Sequence, residues 1–264
     1  MVYTIGIVGF GTLGKQLAEL FSEKNFNVIV ITRNPKKAEN FLEQFSSKTK
    51  NVIKVSNYFG ELQNCDVIIE CVEENLKTKQ KMLKKVEENA KKETIICSNT
   101  SSLLIEDIAK RCQHKNNIAG LHFANPATKM PFVEIVCTKN TSKTVVKKLI
   151  SLSKKIGKQP IIVEDSPGFV FNKIMFAMLN QAAKVYESKL AKKEDIDATM
   201  ITGANHPAGP LRIIDHVGID VTLNILKNLY NQLHDPIYRP AKILYEMEKA
   251  GKLGKKTGEG FYKY

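Results

Sequence analysis

Apolar residues fall in short unbroken blocks over the first two thirds of the chain and recur at helical spacing over the last third. Tyr3-Thr4-Ile5-Gly6-Ile7-Val8 is the first block, and Gly9-Phe10-Gly11-Thr12-Leu13-Gly14 follows at once. Leu13, Leu17, Leu20 and Phe21 then repeat at helical spacing, so the opening predicts strand, glycine turn and helix. Asn27–Ile31 predicts a second strand, and residues 35–49 a helix with Ala38, Phe41, Leu42 and Phe45 on one face. Val52–Val55, Asp66–Glu70 and Thr94–Cys97 predict strands three to five, with a long polar helix from Leu76 to about residue 90. A helix over Leu103–Arg111, a sixth strand from Ile118, a strand over Phe132–Val136, a helix over 143–156 and a last strand over Pro160–Glu164 complete the run. Strands that read as continuous apolar runs, not alternations, belong to a parallel sheet covered on both faces.

The pattern changes at Asp165-Ser166-Pro167-Gly168, beyond which no strand is expected. Ile174, Ala177, Met178, Ala182 and Val185 mark a long helix, and further helices are expected at 194–203, 207–217, 219–231 and 238–250. A glycine-rich tail, Gly251–Tyr262, closes the chain, and there is no internal repeat. The fold class is therefore α/β, a Rossmann-type doubly wound sheet over residues 1–165 followed by an all-helical domain over 166–264.

Each glycine of the opening turn has a reason. Gly9 permits the tight turn, Gly11 lets backbone approach a pyrophosphate, and Gly14 lets helix and strand pack closely. The helix start, at Thr12 and Leu13, offers backbone N–H groups and a partial positive charge to phosphate. In dinucleotide sites an acid usually ends the second strand and holds the ribose 2′-hydroxyl. Here that position is Thr32, followed by Arg33, Asn34, Lys36 and Lys37. A neutral residue followed by Arg suits a 2′-phosphate, so NADP(H) is expected to be preferred over NAD(H). Ligands of such sheets lie beyond the carboxyl ends of the strands. Gly9–Gly14, Thr32–Arg33, Cys71–Asn75, Ser98–Ser102 and Gly120–Pro126 all leave strands toward that crevice.

Composition narrows the class. Hydrophobic content of 43% and charged content of 25% suit a globular protein. No apolar run approaches the roughly eighteen residues of a membrane span. The first strand starts at the N-terminus, leaving no room for a signal peptide, so a cytoplasmic protein is expected. Five cysteines, odd in number and without a CxxC, read as reduced thiols, with no metal site. A net charge of +13 favours anionic ligands such as phosphorylated cofactors, acyl-CoA or an acidic carrier protein. No nucleic-acid motif accompanies that charge.

His122 ends a strand at the crevice, and Glu134 lies on the next strand after a short connection. Neighbouring strands would let the carboxylate hold one imidazole nitrogen and leave the other as general acid or base. Spacing alone also fits a structural histidine beside a surface glutamate. Ser101 and Asn172 alone fit helix capping as well as substrate binding.

Several dispersed segments together resemble the L-3-hydroxyacyl-CoA dehydrogenases, including bacterial 3-hydroxybutyryl-CoA dehydrogenases. They are Gly9–Gly14, Glu74–Lys77, Ser98–Ser102, Gly120–Pro126, Asp165–Asn172, Glu194–Asp197, His206–Pro210 and the Gly251–Tyr262 tail, in family order over nearly the whole chain. The resemblance implies a hydride transfer between a nicotinamide cofactor and the C3 hydroxyl or keto group of a small 3-hydroxyacyl thioester. It makes His122 the base in oxidation and acid in reduction, with Glu134 orienting it. It gives Ser101 and Asn172 the substrate oxygens, and Asn125 is the motif asparagine near His122. Glu74 and Lys79 match positions that contact the nicotinamide ribose, and Asn99 joins them on the cofactor side. It also implies an interdomain active site and a homodimer through the helical domain.

Three departures stand out. Thr32-Arg33 replaces the usual acid, Ala124 stands where the family usually has Phe, and Pro35–Asn64 is too short for the helical arm that contacts CoA. The acyl carrier is thus open between CoA and an acyl carrier protein. Two further readings are a dehydrogenase of a free hydroxy acid and a non-catalytic nucleotide-binding protein.

Overall fold

The computed structural model describes residues 3–50 and 52–264. The chain divides into two compact units, the first ending at Ser166 and the second starting at Pro167. In chain order the first unit forms β1 (Thr4–Val8), α1 (Thr12–Glu23), β2 (Asn27–Ile31), α2 (Pro35–Leu42), α3 (Ser47–Lys50), β3 (Ile53–Ser56) and β4 (Val67–Glu70). It continues with α4 (Leu76–Asn89), β5 (Ile95–Ser98), α5 (Ile105–Ile108), β6 (Ile118–Phe123), β7 (Phe132–Cys137), α6 (Lys143–Lys155) and β8 (Gln159–Glu164).

The eight strands make one sheet in the order β3-β2-β1-β4-β5-β6-β7-β8. Neighbours pair in parallel, except that β6 and β7 run antiparallel. The expected doubly wound sheet is thus present, and strand order reverses beside β1, where β1 carries β2 on one side and β4 on the other. Ile5, Ile7, Val28, Val30, Val67 and Ile69 form its core with Leu17 and Phe21 of α1 and Val145 and Leu149 of α6. α4 buries Leu83 and Val86, and α5 buries Ile105 and Ile108.

Two expected helices are shorter than their patterns. The helix over 35–49 is interrupted between α2 and α3. Ser46 accepts a hydrogen bond from Thr49 N at 3.3 Å, acting as the cap that starts a new turn. The segment over Leu103–Arg111 is one α-turn, α5, followed by a 3-10 turn over Ala109–Arg111. Its start is held from outside, because the Asp165 carboxylate accepts from Ile105 N at 3.0 Å and Glu106 N at 2.8 Å. An unforeseen 3-10 segment, Phe59–Asn64, precedes β4.

The second unit is helical: α7 (Phe171–Glu187), α8 (Lys193–Ala204), α9 (Pro210–Val217), α10 (Ile219–Leu233) and α11 (Lys242–Lys249). α9 starts only at Pro210 and α11 only at Lys242, later than periodicity suggests. Pro207, Pro210, Pro236 and Pro240 disfavour helix in the residues before them. Leu179, Leu211, Ile214, Leu223, Leu226 and Leu244 centre the core of this unit. The buried Asp215 carboxylate fastens the tail, accepting from Phe261 N and Tyr262 N, each at 2.8 Å. Among the described residues no helix is long and apolar enough to cross a membrane.

Candidate active site

The glycine turn between β1 and α1 has the geometry its spacing implies. Gly9 sits at φ +103°, and a Cβ there would lie 2.7 Å from the Cys71 carbonyl oxygen. A Cβ on Gly14 would lie 2.1 Å from the Gly9 carbonyl oxygen, too close for any side chain. At Gly11 the situation is reversed, since a Cβ there would meet no atom within 4 Å. The protein leaves that space open, and the space matches what a pyrophosphate needs. Gly11 is also the cap residue of α1 and supplies no side-chain acceptor, so no side chain caps the first-turn amides of α1.

A cavity of about 910 Å³ adjoins this turn, lined by Gly9, Phe10, Gly11, Thr32, Arg33 and Glu73 among others. Thr32, just beyond β2, accepts from Asn34 N at 3.4 Å, and Asn34 in turn caps α2 by accepting from Lys37 N at 3.1 Å. Arg33 is exposed at the cavity edge, with no acid among residues 32–34. These residues fit a dinucleotide: open backbone at Gly11, uncapped amides, and a cavity at the carboxyl ends of β1, β2 and β4.

Beside the cavity lies a cluster whose contacts the sequence pattern does not reveal. Glu70 ends β4 fully buried and pairs with Lys79 of α4, which is 1% exposed, at 2.9 Å. Glu70 also accepts from Ser98 Oγ and Val72 N, each at 2.6 Å. The Lys79 ammonium donates to the Val72 carbonyl at 3.2 Å and pairs with Glu74 at 3.4 Å. Burial pulls the Lys79 pKa down, but the Glu70 and Glu74 charges outweigh it and hold the pKa above its ordinary value. Glu74 Oε1 accepts from Thr100 Oγ1 at 2.6 Å and from Ser101 N, Ser102 N and Ser102 Oγ, each at 3.0 Å. Burial raises the Glu74 pKa, yet the Lys79 charge and these hydrogen bonds bring it below the ordinary carboxylate value. Glu74 and Lys79, taken from sequence as cofactor contacts, are therefore also what holds the loop that carries Ser101. Glu70 gave one signal in the sequence, an acid closing an otherwise apolar parallel strand.

His122 and Glu134 meet because β6 and β7 run antiparallel with those two residues directly paired. His122 Nδ1 and Glu134 Oε2 are 2.8 Å apart, and both residues are buried. A carboxylate accepts in such a pair, which places the proton of this bond on Nδ1 and leaves Nε2 able to accept one. Asn99, buried at the end of β5, accepts from Phe123 N at 3.0 Å and ties the end of β6 to β5. Asn125 lies three residues past His122 and is exposed. Its Oδ1 accepts from Gln16 Nε2 at 3.0 Å, a partner that sequence reading missed.

Asn172 lies in the first turn of α7 in the second unit, buried, with its N–H donating to the Gly168 carbonyl at 3.1 Å. All five cysteines are free. Burial pushes the thiols of Cys65 and Cys112 up to about 12 and those of Cys71, Cys97 and Cys137 upward as well. None is poised as a nucleophile at neutral pH. Among the described residues no group of three acidic, His or Cys side chains could hold a metal ion.

A glycine turn and a buried His–carboxylate pair carried by one doubly wound sheet define a dinucleotide-dependent oxidoreductase. Comparison with known proteins narrows the class. Residues 4–166 match the model of the 3-hydroxyacyl-CoA dehydrogenase NAD binding domain, and 168–264 match that of the 3-hydroxyacyl-CoA dehydrogenase C-terminal domain. The chain is 35% identical to a 3-hydroxybutyryl-CoA dehydrogenase of Clostridioides difficile, covering 98% of this chain and 99% of that one. It is 33% identical to the human mitochondrial hydroxyacyl-coenzyme A dehydrogenase, covering 100% of this chain and 92% of that protein. A crystal structure of the (S)-3-hydroxybutyryl-CoA dehydrogenase of Ralstonia eutropha superposes with a TM-score of 0.91 at 37% identity, covering 100% of this chain and 99% of that chain. The chain belongs to the 3-hydroxyacyl-CoA dehydrogenase family, NAD-dependent oxidoreductases acting on CH–OH groups.

Proposed function

We propose that this protein interconverts the 3-hydroxy and 3-oxo forms of a small acyl thioester, with His122 as its proton-transfer residue. The observation that carries the reading is the buried 2.8 Å pair of His122 and Glu134 at the end of β6. In oxidation His122 Nε2 takes the C3 hydroxyl proton, and in reduction it returns it. Glu134 keeps the Nδ1 proton in place and stabilises the imidazolium that forms. A bound nicotinamide dinucleotide supplies the hydride acceptor or donor. Ser101 hydrogen-bonds a substrate oxygen from a loop that Glu74 holds by the Ser101 and Ser102 amides. Lys79 acts on that loop by fixing Glu74. Asn172 is proposed as a second hydrogen-bonding residue for the substrate.

The proposed thioester extends beyond CoA to a carrier-bound acyl group: the match to the C. difficile enzyme runs over 278 aligned positions against a chain of 264 residues, so at least 14 of its positions have no counterpart here. Side-by-side assay of acetoacetyl-CoA, a carrier-protein-bound acetoacetyl group and free hydroxy acids tests the reading. Turnover of a thioester is expected, and turnover of free acids alone overturns it.

The finer proposal is a preference for NADP(H). Thr32, Arg33 and Asn34 carry no acid to repel a 2′-phosphate, and Arg33 lies at the edge of the cavity. A charged hydrogen bond of about 1.5–3 kcal/mol converts to about ten- to hundredfold in kcat/KM. Arg33→Ala should lower kcat/KM with NADPH by that factor and leave NADH nearly unchanged. Equal use of NADH and NADPH by the unaltered protein sinks the proposal.

A further inference from the structure

Gln16 lies on α1, close behind the glycine turn, and reaches the loop between β6 and β7 with both ends of its side chain. Ala127 N donates to Gln16 Oε1 at 2.7 Å. A backbone N–H can only donate, so this contact fixes which end of the Gln16 amide is oxygen. The other end, Nε2, can then only donate, and it does so to Asn125 at 3.0 Å. The Asn125 atom facing Gln16 must therefore be its oxygen. Its amino group is turned the other way, from an exposed residue three positions past His122. The loop itself is held at both ends, by Asn99 Oδ1 accepting from Phe123 N at 3.0 Å and by Lys158 Nζ donating to the Met130 carbonyl at 2.6 Å.

We propose that Gln16 is a positioning residue that polarises Asn125 into a hydrogen-bond donor for a carbonyl oxygen of the reacting pair. The chain of donors Ala127 N, Gln16 Nε2 and Asn125 Nδ2 runs in one direction, and only the last is left for a ligand. Two carbonyl oxygens meet that chemistry, the carboxamide oxygen of the nicotinamide and the acyl oxygen of the substrate. The inference rests on the dehydrogenase reading above. It also couples the helix whose start faces the cofactor phosphates to the loop that follows the catalytic histidine.

Gln16→Glu reverses the polarity without removing the packing. One carboxylate oxygen still accepts from Ala127 N, but the other cannot donate, so Asn125 turns its amino group toward Glu and its oxygen outward. A carbonyl ligand then faces an acceptor. Loss of about tenfold or more in kcat/KM is expected. If the nicotinamide carboxamide is the ligand atom, the Kd for the reduced dinucleotide, read by fluorescence titration of the free enzyme, rises. If the acyl oxygen is, that Kd holds and the KM for the acyl substrate rises instead. In an Asn125→Ala background, Gln16→Glu should add nothing, since its effect runs through Asn125. Gln16→Leu, which removes both hydrogen bonds without adding charge, serves the same cycle if the Glu variant does not fold. An active wild type whose Kd and KM both stay within twofold in the variant overturns the inference, as does an undiminished effect on the Asn125→Ala background. An inactive wild type counts against the dehydrogenase reading instead.

Discussion

Replacing His122 by Ala is expected to lower kcat by at least about a hundredfold, the usual cost of removing a general base. The loss should appear in kcat, because no proton acceptor remains for the C3 hydroxyl. The Kd for the dinucleotide should be unchanged, since the glycine turn and its open space at Gly11 lie on β1 and α1 and not on β6. Glu134→Gln is the companion. An amide can present its amino group to Nδ1, which then must accept, and the proton moves to Nε2 where the substrate needs a base. Activity in the oxidative direction should therefore fall although the size of the side chain is kept. Steady-state kinetics in both directions with a separate dinucleotide titration measure this. Retained kcat in His122→Ala would overturn the mechanism.

The second large effect is on stability. Glu70→Ala strands the Lys79 ammonium in a site where it is 1% exposed. Breaking a buried ion pair from one side costs about 3–5 kcal/mol. The lower end applies here, because Glu74 remains 3.4 Å from the ammonium. Ser98 Oγ and Val72 N lose their acceptor in the same step. Equilibrium urea unfolding, with hydrogen exchange at β4 and β5 to assign the transition to the first unit, should show a loss near 3 kcal/mol. A loss under about 1 kcal/mol would mean that the pair contributes nothing that water does not replace. The cluster also has a pH signature. The raised Lys79 pKa gives a contribution present below the unfolded lysine value and lost as pH rises through the folded one. The lowered Glu74 pKa gives one present above the unfolded glutamate value and lost as pH falls through the folded one. The hold on the Ser101 loop is therefore complete between about pH 4.3 and about pH 10.4, the ordinary values of the two groups.

How much of the site could be read in advance depends on whether a residue acts through its own backbone or through a distant partner. Gly9, Gly11 and Gly14 are legible because their requirement is local: each is set by a turn a few residues long. His122 and Glu134 were legible as a candidate pair only. Whether they meet depends on the direction of β7 against β6, and one position of slip would have put Glu134 on the other face. The pairing of Glu74 with Thr100, Ser101 and Ser102 joins the loops after β4 and β5 across 26 to 28 residues, and no period announces that contact. Gln16 carries no signal at all, since its partners at Asn125 and Ala127 are over a hundred residues away.

By itself the sequence determined the alternation of strands and helices, the glycine turn and the change to helices past Asp165, because apolar periodicity and backbone freedom are properties of neighbouring residues. It also supplied the candidate site residues, Ser101, His122, Glu134 and Asn172 among them. The tertiary structure alone decided which of them meet. It buried Glu70 with Lys79, aimed Glu74 at the Ser101 loop, matched His122 to Glu134 and turned Asn125 through Gln16. Those are long-range contacts whose energies exist only once the sheet has brought the strand ends together.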